Sequence, residues 1–260
     1  MNLAIKNSSS SLPLSKNFKP VLSPPRVRLG LLDRYSRPGQ EPSGDEQVGA
    51  RNISINFDNS AMSDAEYYGQ LNSIWGMFRR DLAPFYLVDS DNDRQALIRL
   101  LSMSDRPASE GLVYRLGDNN LELAMLDGAW EDVDQIVSGP TSLDTNDTVV
   151  LSNESNELAY PEIEVSVNDA NPDLTIENVT TGQLMRISDA AVVPGAVLKL
   201  YSTSFGKVSL VSGLGSVELS NSLADGSGFI YLLPGSNTIR YTSIYGGADV
   251  TIAFRRKYVW

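Results

Sequence analysis

Apolar and polar residues alternate one by one through long stretches of this chain, and small clusters of proline, glycine, asparagine and aspartate interrupt them. Ile53, Ile55 and Phe57 take turns with Asn52, Ser54 and Asn56, the period-two mark of a strand with one face in a core. Apolar runs at 85–88, 96–103, 111–116 and 121–126 read as further strands. The second half repeats the pattern at 163–167, 174–177, 184–187, 197–201, 208–211, 217–219, 229–232, 238–241 and 248–254. Asn171-Pro172, Pro194-Gly195, Asp225-Gly226 and Pro234-Gly235 supply turns between them. Short strands punctuated in this way predict a β-sandwich. One stretch has a different period. Ser63 and Glu66 form a capping box, Asp64 adds negative charge at the positive helix end, and Tyr67, Leu71, Ile74, Trp75, Phe78 and Leu82 recur at helical spacing. Arg79 and Arg80 fill the last turn and Pro84 stops it, so one amphipathic helix is predicted over 64–82. The fold class read from these patterns is mainly β with one long helix.

The polar stretches set the expected organisation. Residues 1–30 hold Ser8 to Ser11 in a row and then Pro13, Pro20, Pro24 and Pro25, with no strand or helical period, and are expected to form an extended arm. A long Pro/Gly loop follows at 38–49. An N-terminal β domain carrying the helix is expected over 31–140, a Ser/Thr/Asn/Asp-rich linker over 141–156, and a C-terminal β-sandwich over 157–260.

Composition narrows the chemistry. Of 260 residues, 42% are hydrophobic and 20% charged, which is the make-up of a folded protein. The chain has no cysteine and no histidine. Disulfides, thiolate nucleophiles, zinc–thiolate sites and every His-dependent triad are therefore excluded, and no cofactor is expected. The net charge of −11 opposes stable binding to nucleic acid. Positive charge is segregated at one place only: Lys6, Lys16, Lys19, Arg26 and Arg28 all precede the first acid, Asp33. They are too dispersed for a nucleic-acid arm, and they are the candidate subunit-contact residues, facing an acidic neighbour. No apolar run reaches the ~18 residues of a membrane helix, so no membrane insertion is expected. The start, Met1-Asn2-Leu3-Ala4-Ile5-Lys6, lacks the apolar stretch of a secretory signal, so synthesis and retention in the cytoplasm are expected.

Individual motifs add little. Asp89-x-Asp91-x-Asp93 opens like a calcium loop, but Arg94 stands where the turn glycine belongs and Leu100 where the bidentate glutamate belongs, so it reads as a solvated turn. Asp127, Glu131, Asp132 and Asp134 lie close together in sequence on a polar strand end and read as surface acids rather than a hydrolytic pair. Trp75 and Phe78 read as packing residues. Tyr160, Tyr201, Tyr231, Tyr241, Tyr245 and Tyr258 admit a carbohydrate-binding reading, though strand propensity accounts for them equally well. Gly213-Leu214-Gly215 lies between strands and precedes no helix, so it is not a phosphate loop. An enzyme is not expected.

Two stretches together resemble the distal tail protein family of siphophages. The first runs from the 53–57 strand through Ser63-Asp64-Ala65-Glu66-Tyr67, Leu71 and Phe78 to Phe85-Tyr86-Leu87-Val88, and on through 121–126 to Trp130-Glu131. It is similar to the family's ring-forming N-terminal β-sandwich with a packed helix. The second is Phe229-Ile230-Tyr231-Leu232-Leu233-Pro234-Gly235-Ser236-Asn237-Thr238-Ile239-Arg240-Tyr241, followed by the alternating strand into Phe254-Arg255-Arg256-Lys257-Tyr258. It resembles the closing hairpin of the family's galectin-like C-terminal sandwich. The long Pro/Ser-rich start departs from the family's compact ring domain. The resemblance implies a structural virion protein, assembled in the host cytoplasm and located in the tail. It would form a ring, six-fold in the family, that joins the tail tube protein to the tail-tip hub or baseplate and to fibre or receptor-binding subunits. The alternative is a carbohydrate-binding β-sandwich for adhesion to the host surface.

Overall fold

The computed structural model describes residues 3–6, 11–13, 19–22, 27–28, 47–48, 51–61, 68–69, 72, 76, 78, 85–104, 115–168, 173–189, 192–201, 207–212, 215–218, 222–244 and 246–259. The chain divides into two compact units, with the break between Glu131 and Asp132.

The first unit is built on strands β1 (Leu3–Lys6), β2 (Ser11–Pro13), β3 (Lys19–Leu22), β6 (Arg51–Ala61), β7 (Phe85–Asp89), β8 (Arg94–Ser104) and β9 (Arg115–Met125). They pair antiparallel in the order β2-β1-β7-β8-β9-β6-β3. Strands β4 (Val27–Arg28) and β5 (Gln47–Val48) form a separate ribbon, and β10 (Trp130–Asp132) pairs with β8. Because side chains alternate, cross-strand partners share a face. The row Phe85, Ile98, Met125, Arg51 and the row Ile5, Leu87, Ala96 are buried on one face, joined by Leu123 with Ile53 and Leu121 with Ile55. Strands β2 and β3 are the two ends of this sheet, yet only residues 14–18 separate them in sequence. That chain spans at most about 21 Å, whereas six strand spacings in a flat sheet take about 29 Å. The sheet must therefore curl over its apolar face.

Two expectations meet this unit. The arm over 1–30 is, in its described parts, strand: β1 lies between β2 and β7, and Ile5 is fully buried. Tertiary pairing overrides the weak local pattern, since an apolar pair such as Ala4-Ile5 suffices to fill one gap in a sheet. The helix expected over 64–82 lies mostly outside the described residues. Within that span Tyr68, Gly69, Asn72, Gly76 and Phe78 have helical backbone, and the Phe78 ring packs 4.8 Å from that of Phe85. No helix stands among the described elements, so what the described residues show is a mainly β chain.

The second unit contains β11 (Ile136–Leu143), β12 (Thr148–Asn153), β13 (Glu162–Val167), β14 (Asp173–Asn178), β15 (Gln183–Ser188), β16 (Val197–Tyr201), β17 (Lys207–Ser212), β18 (Gly215–Glu218), β19 (Gly235–Ser243), β20 (Ala248–Phe254) and β21 (Lys257–Tyr258). One sheet runs β11-β20-β13-β16-β17-β18 and the other β12-β19-β14-β15, all neighbours antiparallel. Ile163, Val165, Val250, Ile252 and Phe254 from the first sheet and Leu174, Ile176, Met185, Ile187, Ile239 and Tyr241 from the second belong to one continuous buried cluster. The sheets thus face each other as a β-sandwich.

The expected linker over 141–156 is instead largely strand, since β11 ends and β12 lies within it. Both are edge strands with one face in solvent, and six of their fourteen residues are Ser, Thr or Asn. The strand expected at 229–232 belongs to no sheet. Its only pairing among the described residues is a bridge between Ala159 and Leu232, although Ile230 and Leu232 are fully buried.

Candidate functional site

Three asparagines bond to that segment. Each continues the inward phase of an alternating strand: Asn153 follows Leu151 in β12, Asn178 follows Ile176 in β14, and Asn237 precedes Ile239 in β19. All three are fully buried, so each amide must find partners in protein. Asn237 Nδ2 donates to the carbonyls of Leu233 (2.8 Å) and Gly235 (3.1 Å), and its Oδ1 accepts from the N–H of Leu233 (2.9 Å). Asn178 Nδ2 donates to the Tyr231 carbonyl (2.7 Å) and to Asn237 Oδ1 (3.3 Å). Asn153 Nδ2 reaches the carbonyls of Leu232 and Glu157, both at 3.2 Å. Between Leu233 and Asn237 lies the Pro234-Gly235 turn, where Gly235 has φ +96°, a conformation that favours glycine. The sequence analysis placed Asn237 in the closing hairpin and gave the other two no role. The readable signal was an asparagine at a position whose strand phase calls for an apolar residue.

The described residues singled out by charge lie on three different strands. Lys6 is exposed in β1 toward one end of the first sheet, Lys19 lies in β3 at its opposite edge, and Arg28 lies in the separate ribbon. Lys16 and Arg26 lie outside the described residues. The acids disperse too. Glu131 accepts from Gln95 Nε2 (2.9 Å), while Asp132 meets Arg256 Nε (3.5 Å) and the Tyr258 hydroxyl (3.5 Å). Asp89 is buried, holding its turn by accepting from the Asp91 N–H (3.1 Å) and Asn92 Nδ2 (2.7 Å). Among the described residues no three acids come together as a metal set.

Two of the tyrosines have partners of their own. Tyr241 is in the core with its hydroxyl on the Gly246 carbonyl (3.2 Å), and Tyr160 lies under Lys257 at 5.4 Å. Tyr245 lies outside the described residues. The concavity on the outer face of β14, β15 and β19 holds about 430 Å³ and is lined by Asp173, Thr175, Arg186, Asp225, Thr242 and Ile244, with no aromatic ring. Arg186 grips Asp173 with both Nε (2.8 Å) and Nη2 (2.5 Å), and Arg240 pairs with Glu177 in the next row. The hydrogen bond from Arg186 holds the Asp173 carboxyl below its usual range. A depressed carboxyl stabilises the fold at pH above its unfolded value of about 3.9, and that share is lost as the pH falls through the folded value. Asp173→Asn is therefore expected to lower the Tm slightly at pH 7 and to flatten its decline below pH 4, read from melts across pH 2 to 7. The effect is small because both groups reach solvent.

With both units described, their arrangement along the chain can be compared with known proteins. No protein-family model matches the chain, and no curated protein matches its sequence. Among solved structures, the chain aligns with the Dit protein (gp 19.1) of SPP1, described as a paradigm of the hub adsorption apparatus in phages that infect Gram-positive bacteria. The TM-score is 0.62 over 99% of each chain. The fold is that of SPP1 Dit. At 12% identity it is the fold that is shared, and it is shared through both units of the chain. A chain of the phage P2 baseplate, in its activated conformation with calcium, aligns over 98% of this chain and 97% of its own at a TM-score of 0.49 and 8% identity. The Dit-like layout thus matches the distal tail resemblance carried by the strand pattern and by the Pro234-Gly235-Ser236-Asn237 turn. In this chain that turn owes its shape to buried asparagines.

Proposed function

We propose that this chain is a structural component of a phage tail, a distal tail adaptor that works through surfaces rather than catalysis. The observation that carries the reading is the alignment of both units, end to end, with one hub protein. The chemistry is consistent with it: lacking Cys and His, the chain has no side chain whose ordinary pKa lies near neutrality. In this reading the first unit meets copies of itself head to tail through two different faces, and a heterologous contact whose rotation closes makes a ring. Six copies would sit between tail tube and tip or baseplate, in the virion tail, with the second unit available to neighbouring subunits.

Charge supports that division of labour. Asp132–Val259 contains 15 acids and seven bases, so −8 of the total −11 lies in the second unit. Native mass measurement of the purified protein and of disassembled virions tests the proposal. A species near six times 28.3 kDa is expected. A lone chain at every concentration, absent from virions, rules the adaptor out.

A further inference from the structure

The two edges of the four-stranded sheet in the second unit are treated differently. The β15 edge is covered: Ala224 and Gly228 donate backbone hydrogen bonds to the carbonyls of Arg186 (2.9 Å) and Leu184 (2.8 Å), and Ser227 Oγ accepts from the Arg186 N–H (3.0 Å). The β12 edge has no such cover among the described residues. Which of its backbone groups point outward follows from β19. Thr238 is turned toward β14, since its carbonyl accepts from the Val179 N–H (2.8 Å) and its own N–H meets Thr180 Oγ1 (3.0 Å). Ile239 and Asn237 therefore bond to their register partners Val149 and Leu151, and the N–H and C=O groups of Thr148, Val150 and Ser152 face away from the sheet.

Exposed edges are normally blunted by proline, lysine or a bulge. The neighbouring edge strand β11 is blunted, with a register shift between Ser138 and Thr141 around Gly139-Pro140. In contrast, β12 runs Thr148-Val149-Val150-Leu151-Ser152-Asn153 in unbroken register, and Val150 on its outer face is 66% exposed. It reads as a strand with a vacant side.

Charge says what fits there. From Leu116 to Met185 the chain has 15 acids and not one Lys or Arg. The cations that answer them come later in sequence: Arg186 takes Asp173, Lys199 takes Glu164, Arg240 takes Glu177, and Arg256 takes Asp132 and Glu154. Asp144 and Asp147, exposed where β11 turns into β12, have no cation among the described residues. Glu154 flanks the other end. A second copy is a poor occupant, because antiparallel self-pairing about Val150 sets Asp147 of each copy opposite the other's Asn153 and brings no cation to it.

We propose that β12 is a strand-addition site that takes an extended, lysine- or arginine-bearing segment of another protein, with main-chain bonds to Thr148, Val150 and Ser152 and cations on Asp144 and Asp147. The inference stands whether or not the first unit makes a ring.

The test uses the full-length protein and a blocked peptide alternating Thr and Val with Lys at both ends, beside the same peptide ended in Glu. The Lys-ended peptide is expected to bind, to protect the amides of Thr148, Val150 and Ser152 from exchange, and to weaken with salt. Val150→Pro removes one outward N–H while leaving the β19 bonds intact, so it should fold and bind at least tenfold more weakly; Val150→Thr should bind as the parent does. Asp144→Asn with Asp147→Asn should flatten the salt dependence. Equal binding by Val150→Pro, equal binding of the Glu-ended peptide, no protection at β12, or a dimer of the protein that Val150→Pro dissolves would each overturn the proposal.

Discussion

Asn237→Ala is expected to destabilise the second unit by about 2 kcal/mol, because it removes four hydrogen bonds and leaves the buried Asn178 amide one partner short. Asn237 occupies the Leu233 N–H, the Leu233 carbonyl and the Gly235 carbonyl, and it accepts from Asn178. Asn237 itself is fully buried and Leu233 half-buried, while Gly235 is exposed, so water replaces only part of what is lost. Urea unfolding of the full chain, followed by the tyrosine signal, measures the loss. Asn237→Asp keeps the acceptor but loses both donated bonds, so it should also fall well below the parent. Ser236→Ala, one residue away and exposed, should stay within about 0.5 kcal/mol. A loss under about 1 kcal/mol for Asn237→Ala would mean that the segment at 229–235 is held by apolar burial of Ile230 and Leu232 alone.

Ile5→Ala should cost the first unit about 3 kcal/mol, the usual range for emptying a buried isoleucine site. Ile5 faces Leu87 in the pairing of β1 with β7 and has no exposed surface. The same geometry sets proteolysis. Lys6 exposes its side chain, but its backbone is paired to Ser11 on one side and Tyr86 on the other, so trypsin must wait for the strand to open. Slow cleavage after Lys6 in the parent and fast cleavage in Ile5→Ala are expected, read by mass spectrometry of timed digests. Fast cleavage in the parent, with an unchanged melting curve for Ile5→Ala, would show that β1 contributes nothing to the sheet.

Strand phase was legible wherever a strand had a wet face and a dry one. Val250, Ile252 and Phe254 alternate in sequence and are buried in alternation in β20, and the same holds for Ile163 and Val165 in β13. The Pro-Gly turns were legible too, because glycine at Gly195 and Gly235 takes a positive φ that other residues avoid. Polar composition misled at β11 and β12. An edge strand shows a run of Ser, Thr and Asn much like a linker's, and only pairing partners far along the chain, at β20 and β19, distinguish the two. Apolar composition misled at 229–232, where burial was read as pairing.

The candidate surfaces were the least legible part. Counting charges singled out Lys6, Lys19 and Arg28, which lie on three different strands, while the β12 edge, uncovered among the described residues, carries no local sequence signal. By itself the sequence determined the chemistry this protein lacks, the alternation that makes it mainly β, and the turns that end its strands. These are properties of single residues and near neighbours. Only the tertiary structure decided which strands are edges, which asparagines are sealed from water, and which backbone groups remain open to a partner. Each of those depends on segments scores of residues apart meeting in one register, and local sequence does not encode that meeting.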